Sequence, residues 1–446
     1  MTDSFSAAVK RLLAMPAFAT SGDVALKPGL DRIRALLAGM GHPERDREII
    51  LVAGTNGKGS TASMLAALST AAGVRTGLHT SPHLLWVGER MRVDGIEPSE
   101  EWLAETFENW ESLFDRVKPS FFEATLALSF AWFADQGAER WVVEIGLGGR
   151  LDAANVLDAS VGILTSVGRD HMHLLGPTLS DVSREKAAIA RPGRPFVLGP
   201  LEGEARAAAL ETLREIGTDV IEPVQTQETG APFTLRTSKR SVSGVQLSID
   251  APHQRINALL ALQALDLLHA PLVPETTVKD GFYRLSELSG LRGRQDWVNE
   301  TTMVDVCHNE DALQAALSTF IATVSRSDRD EGAVRVVLGF LADKELGQFG
   351  TWLARTVEEI LPGRVNVEAV GTAGARGQRA AATERALIES GWNGPIQKHD
   401  SVEEALSRAL SQASFTFIGG SYLVAASALE WLIPGGAGSR KLPVRD

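Results

Sequence analysis

Cysteine is almost missing from this chain: Cys307 is the single one in 446 residues. That excludes an intrachain disulfide and any cysteine-rich zinc or iron–sulfur site. Positive charge is outnumbered, with 44 Lys plus Arg against 56 Asp plus Glu and a formal net charge of -12. Broad electrostatic binding to nucleic acid or to an anionic membrane is not expected from that balance, though a local basic pocket for phosphate is compatible with it. No apolar run reaches the roughly eighteen residues a bilayer crossing needs. The nearest, from Phe121 to Ala134, is broken by Glu123 and reads as a buried helix. Lys10-Arg11 precede a short apolar stretch, but Asp3 and Pro16 disqualify it as a secretory signal, so a cytoplasmic location is expected.

What is present is ordinary for a globular protein, with 44% hydrophobic and 22% charged residues. The length predicts two or three domains at about 100–200 residues each. Val/Ile-rich runs alternate with Ala/Leu-rich helical stretches, which implies βαβ units and a mostly parallel sheet. Strands are expected at Glu48–Ala53, before Ser81-Pro82, and at Trp141–Ile145, Val161–Val167 and Pro195–Gly199. Helices are expected at Ser60–Ala72, Phe121–Gln136, Ser180–Ala190 and Gln254–His269. Asp219–Asp250 breaks the rhythm, and its Thr/Val alternation (Phe233–Arg236, Val245–Ile249) predicts an antiparallel hairpin on the sheet edge. Ser286–Arg294 reads as a hinge. Beyond it strands at Thr301–Cys307, Val334–Gly339, Val365–Gly371 and Phe415–Ile418 predict a second, smaller α/β domain. The expected division is 1–290, 297–433 and a flexible tail, 434–446.

The strongest local signal is Gly54-Thr55-Asn56-Gly57-Lys58-Gly59-Ser60 between a strand and a helix. Glycines let the backbone curl so that N–H groups face a phosphate, and the helix N-terminus and Lys58 add positive charge. The standard P-loop spacing is not met, because Val52 stands where its first glycine belongs and Gly59 separates Lys58 from Ser60. Glu144, in 141-WVVEIGLGGRLD-152, closes a buried strand where parallel sheets bind ligands, and suits Mg²⁺ beside a phosphate loop. Taken alone, Glu144 reads better as a paired structural carboxylate. Asp170-His171-Met172-His173 offers a His-x-His metal pair with Lys186 as bridge, or merely a surface loop. Taken by itself, Lys186 is a solvated helix lysine and Arg294 a surface charge. Asp305-Val306-Cys307-His308-Asn309 lies at a strand end; Cys307 is expected inside the strand as a small hydrophobe rather than a nucleophile.

Together these motifs resemble the folylpolyglutamate synthase/dihydrofolate synthase family of the Mur-ligase superfamily. The matching pieces are VAGTNGKGS (52–60), TSPHL (80–84), GERMRVDG (88–95), FFEATLAL (121–128), EIGLGGRLDAANV (144–156) and REKAAI (184–189), then Asn257, LRGR (291–294), DVCHN (305–309) and GFLADKE (339–345). The resemblance implies an N-terminal P-loop ATPase domain with a mostly parallel sheet and a C-terminal Rossmann-like domain. It implies ATP-dependent ligation of L-glutamate to a folate or dihydropteroate carboxylate through an acyl phosphate. ATP, Mg²⁺ (two ions) and K⁺ are the implied cofactors, the implied state is a monomer, and neither nucleic acid nor membrane is a partner. A Mur-type amide ligase with another acceptor, a metal-dependent hydrolase and a non-enzymatic nucleotide-binding protein are the alternatives.

Residue by residue, the resemblance puts Asn56, Gly57, Lys58, Gly59 and Ser60 on ATP, with Asn257, Arg294 and Asp305 as further nucleotide contacts. It puts Ser81, Glu144 and His171 on Mg²⁺ and matches Lys186 to a lysine carbamylated by CO₂ that also binds metal. Lys58, Lys186 and His308 are its catalytic set. Phe122, Glu123, Ala124, Thr125, Leu151, Asp152 and Ala153 match the pterin-side pocket. Two departures stand out. Glu310 follows Asn309 where the family usually has proline, and Lys27 stands where bifunctional members often carry an acid, which bears on the dihydrofolate synthase half.

Overall fold

The computed structural model describes residues 3–16, 29–223, 232–327, 332–342, 344, 346–372 and 377–433. The chain divides into two compact units, with the boundary between Leu291 and Arg292. The proposed tail, 434–446, and Lys27 lie outside the described residues.

In the first unit, strands β1 (Glu48–Ala53), β2 (Thr76–His79), β3 (Met91–Val93), β4 (Arg140–Glu144), β5 (Val161–Leu164), β6 (Pro195–Leu198) and β7 (Asp219–Ile221) form one sheet. Their order is β3-β2-β4-β1-β5-β6-β7. Every pairing is parallel except that of β3, which runs against β2 at one edge. β1 is central, and Ile49–Ala53 are buried without a polar interruption, as expected of a strand covered on both faces. The helix Lys58–Ala71 leaves the carboxyl end of β1 and is buried from Gly59 to Ser69. Its Gly, Ala and Ser residues let it pack closely against the helix Pro252–Leu268. Each large aliphatic side chain enclosed there, Leu65, Leu68, Leu259 and Leu262 among them, contributes roughly 1.5–3 kcal/mol.

The sequence misplaced the hairpin. β8 (Phe233–Arg236) and β9 (Ser241–Val245) do pair antiparallel, but the second strand ends at Val245, where the expected one (Val245–Ile249) was to begin, and the pair is a separate two-stranded sheet, while β7 takes the edge of the main sheet. Side chains pull the hairpin away. Arg240 and Thr237 bond the fully buried Asp266 of the helix Pro252–Leu268, at 2.6 and 2.7 Å, and the Ser238 N–H donates to Gln263. Phe233, Val242 and Val245 then join the same core cluster as that helix.

The second unit has strands β10 (Asp296–Asn299), β11 (Thr302–Val304), β12 (Val334–Leu338), β13 (Val365–Val370), β14 (Ile396–His399) and β15 (Phe415–Gly419). Their order is β10-β11-β15-β12-β13-β14, parallel apart from the edge strand β10. The two units are therefore α/β with mostly parallel sheets, as the alternation predicts. Part of the expected hinge is structured, since Leu285–Ser289 is a helical turn closed by Gly290 at φ +69. β11 stops at Val304, so Cys307 lies beyond the strand rather than within it. It is buried in the core all the same, and burial followed by the Asp305 charge pushes its thiol well above the usual range. Glu310 opens the helix Glu310–Ser325, a position where proline is also tolerated, and accepts the Gln348 N–H at 3.1 Å. Among the described residues no helix is long and apolar enough to cross a membrane.

Candidate active site

Carboxyl ends of parallel strands converge where Gly54–Gly57 leaves β1. Gly54 has φ +156, and a Cβ there would lie 1.9 Å from Thr165 Oγ1, so only glycine fits. Gly57, at φ +84, is the N-cap of the helix and presses against Asn257, whose Oδ1 would be 2.5 Å from an added Cβ. The loop is riveted to the segment after β5. Ser166 Oγ accepts the Asn56 N–H and donates to the Asn56 carbonyl, both at 2.9 Å. Thr165 Oγ1 donates to the same carbonyl at 2.7 Å. Thr55 N–H donates to the Ser166 carbonyl, and Thr55 Oγ1 accepts the Gly168 N–H. Thr55 stands in the sequence only as part of 54–60, and Thr165 and Ser166 belong to no motif there. The available signal was 165-TSVG-168 directly after a buried strand.

Two lysines meet on this loop. Lys58 Nζ donates to the Gly54 and Thr55 carbonyls at 3.0 and 3.1 Å, and Lys186 Nζ donates to the Gly54 carbonyl at 2.9 Å. Lys186 is 5% exposed, which overturns its reading as a solvated helix lysine. It occupies the last turn of the helix Leu179–Ala187 and faces the phosphate loop. Burial first, then the neighbouring Lys58 charge, pulls its amine down to about 7, with Asp170 and Asp152 opposing. The glycines of 146–149 allow this packing: a Cβ on Gly149 would be 2.3 Å from the Glu185 carbonyl, which accepts the Arg150 N–H instead.

Glu144 ends β4 nearly fully buried, and its Oε2 accepts the Ser81 N–H at 2.9 Å. Two of the expected metal residues are thus adjacent. His171 takes a left-handed conformation (φ +51) beside Asp170, with Nε2 3.8 Å from the Asp170 carboxylate, and its ring is 6.2 Å from that of His173. Among the described residues no three His, Cys, Asp or Glu side chains are grouped to hold a metal ion. A buried carboxylate beside a serine still suits Mg²⁺, which takes oxygen ligands and uses few from protein when phosphates supply the rest.

Two of the residues expected on the pterin side, Phe122 and Asp152, flank Gly146. A Cβ there would come 2.7 Å from the Phe122 ring and 3.2 Å from Asp152 Oδ2. Asp152 accepts the Leu147 and Ala154 N–H groups, each at 2.9 Å. Burial raises its carboxyl to about 6, against those N–H groups, that of Gly146, and Lys58. Ala124, Thr125 and Ala153 are buried, and Leu151 is partly so. Glu123 is committed to the scaffold. It closes a capping box with Ser120 and receives Arg32 Nε at 3.1 and 2.9 Å.

In the second unit, Asp305 is a local knot, its carboxylate accepting the Gln295 and Cys307 N–H groups at 2.8 Å each. Arg294 is not a free surface charge: its Nη2 donates to Tyr422 Oη at 3.1 Å and its guanidinium carbon lies 5.4 Å from that ring. His308 faces the same ring at 5.3 Å. Tyr422, which gathers Arg294 and His308, gave no signal in the sequence.

Residues 52–265 match the Mur ligase middle domain, and with the phosphate loop and two α/β units they define a Mur-type ligase. The dihydrofolate synthase/folylpolyglutamate synthase of Escherichia coli is 30% identical over 417 residues, which is 90% of each chain. Folylpolyglutamate synthase of Mycobacterium tuberculosis, solved with ADP, superposes with a TM-score of 0.81 at 26% identity over 96% of this chain and 98% of that one. A bifunctional folylpolyglutamate synthase/dihydrofolate synthase with Mn, AMPPNP and L-glutamate bound gives 0.79 at 28% identity, over 97% and 98%. The chain belongs to the dihydrofolate synthase/folylpolyglutamate synthase family. That membership sets aside the hydrolase reading, which left the phosphate loop without a purpose.

Proposed function

We propose that the protein couples L-glutamate to the carboxylate of a folate or of dihydropteroate while ATP is converted to ADP and phosphate. One observation carries the reading: Lys58 and Lys186 converge on the Gly54 carbonyl of a loop built to face phosphate. The relatives named for this activity, and the relative's structure holding L-glutamate and an ATP analogue, support it. A carboxylate is a poor electrophile until one of its oxygens joins a leaving group. That oxygen attacks the γ-phosphorus, the bond to the ADP oxygen breaks, and an acyl phosphate forms. The glutamate amine then attacks the acyl carbon and loses a proton as inorganic phosphate leaves.

Negative charge gathers on the transferring phosphoryl group, where the N–H groups of residues 57–60 and the Lys58 ammonium stabilise it. Glu144, Ser81 and His171 would hold Mg²⁺ together with phosphate oxygens, and the ion when bound adds to that stabilisation. Two ions, and K⁺, are part of the proposal. A Lys186 amine near 7 is partly neutral at physiological pH, so it can attack CO₂ and, on losing a proton, become a carbamate. Phe122, Ala124, Thr125, Leu151, Asp152 and Ala153 are assigned to the acceptor, with Glu123 holding the helix of the first three in place. Asn257, Arg294 and Asp305 are assigned to the nucleotide and His308 to the reacting groups. A monomer acting in the cytoplasm completes the reading.

The test uses ATP, Mg²⁺, K⁺ and L-glutamate, with dihydropteroate in one tube and tetrahydrofolate in another, followed by mass spectrometry. A gain of one or more glutamates in both tubes establishes a bifunctional enzyme, and a gain only with tetrahydrofolate restricts it to polyglutamylation. No gain in either tube removes folates as acceptors.

A further inference from the structure

His79 closes β2 two residues before Ser81, and it is fully buried. Its Nδ1 lies 2.8 Å from Ser129 Oγ on the helix Phe121–Asp135. Ser129 Oγ also lies 2.8 Å from the Thr125 carbonyl, to which it donates its single hydrogen. The imidazole must therefore be the donor in the first bond, so the ring carries its proton on Nδ1. Thr125 Oγ1 in turn donates to the Phe122 carbonyl at 3.0 Å. The edge-on contact between the His79 and Phe122 rings, 5.8 Å apart and inclined at 74°, closes the circuit. One side chain at the end of β2 thus engages a full turn of the helix that supplies Phe122 and Thr125.

The same strand end leads into Ser81, whose N–H is bonded to Glu144 Oε2. Phe122 reaches the other way, to Gly146 beside Asp152. His79 touches neither the Glu144 carboxylate nor Asp152 in this network, yet it joins the elements that present them. We propose that His79 is a positioning residue that ties the Ser81–Glu144 metal pair to the acceptor wall at Phe122 and Thr125, so that metal affinity and acceptor binding rise and fall together. This rests on the metal and acceptor assignments made above.

Three variants test it in the full chain. His79→Leu fills the volume without the donor, Ser129→Ala removes the acceptor together with its own bond to the Thr125 carbonyl, and His79→Gln keeps a donor. Mn²⁺ affinity in the presence of AMPPNP, read by water-proton relaxation, needs no turnover. The acceptor KM and the glutamate KM are read from ligation. His79→Leu should weaken Mn²⁺ binding and raise the acceptor KM, each about tenfold, with the glutamate KM unchanged. Ser129→Ala should shift the same two quantities, adding nothing to His79→Leu in the double variant, and His79→Gln should recover most of the loss. A lower melting temperature with Mn²⁺ affinity and acceptor KM both held overturns the proposal, as does a change in one without the other. Wild-type protein that binds Mn²⁺ with AMPPNP but ligates no folate overturns the acceptor assignment instead.

Discussion

The two units end parallel strands in loops of opposite design. In the first, the phosphate loop after β1 is held mainly from outside, by Thr165 and Ser166 on a segment more than a hundred residues away in sequence, with Lys58 closing on the Gly54 and Thr55 carbonyls. In the second, the loop after β11 is held by its own acid, Asp305, bonded to Gln295 and Cys307. A loop that must present its backbone N–H groups to a ligand cannot use them on itself, so its order comes from neighbours acting on the carbonyls and on Asn56. A loop that presents side chains can knot its own backbone. The first arrangement spreads its side-chain bonds over several residues and tolerates the loss of one; in the second a single carboxylate carries both side-chain bonds to backbone N–H groups, beside main-chain bonds from the Asp305 and Val306 N–H groups to Ile418 and Gly293.

Replacing Lys58 should produce the largest effect. Lys58→Ala removes the cation that bonds both the Gly54 and the Thr55 carbonyls and should lower the ligation rate about a thousandfold or more while the melting temperature stays close to wild type. Full activity in that variant would end the phosphate role. Asp305→Ala should be the largest stability effect, because it strands two buried N–H groups at about 1–3 kcal/mol each. Urea unfolding with separate probes in each unit would show the loss in the second unit; a loss below that of Ser166→Ala would mean that the Asp305 bonds hold their loop no more firmly than one rivet holds the other.

Asp152 supplies a pH signature. Its carboxyl rises from the ordinary 3.8 to about 6 on folding, so between those values the folded state keeps a proton that the unfolded chain has lost. The group therefore favours the folded state fully below about pH 4, and that contribution disappears as the pH rises to about 6. Unfolding free energies of wild type and Asp152→Asn at pH 4, 5, 6 and 7 should diverge by on the order of 2 kcal/mol across the window. Parallel profiles would place the Asp152 carboxyl near its ordinary value. Ser166→Ala should be the mildest, costing about 1 kcal/mol and weakening nucleotide binding only a few-fold, since Thr165 still holds the Asn56 carbonyl.

The same contrast explains what the sequence disclosed. Gly54, Gly57 and the apolar run of β1 were readable because positive φ and a doubly covered strand restrict residue type strongly. The rivets at Thr165 and Ser166 were not, because hydroxyl residues are common at strand ends and their partners are remote in sequence. Residue type alone sends Lys186 to solvent, and only the resemblance points it inward: its burial follows from a helix docked on the loop, which no local pattern reports. The hairpin was recognised from its alternation, but its place was decided by Asp266 on a helix still to come. β10 was missed because Asp296–Asn299, half exposed at an edge, has no apolar run to mark it. His79 and Tyr422 escaped for a similar reason, since each acts by joining elements that are far apart in sequence.

The most direct test of the ligase account follows an oxygen atom. Tetrahydrofolate or dihydropteroate labelled with ¹⁸O in the reacting carboxylate is ligated to L-glutamate with ATP and Mg²⁺, and the released phosphate is weighed. The account predicts one ¹⁸O in each phosphate formed, because the carboxylate oxygen that attacks the γ-phosphorus departs with it. Phosphate that carries no label, released alongside glutamylated product, would contradict an acyl phosphate intermediate and with it the role assigned to the phosphate loop.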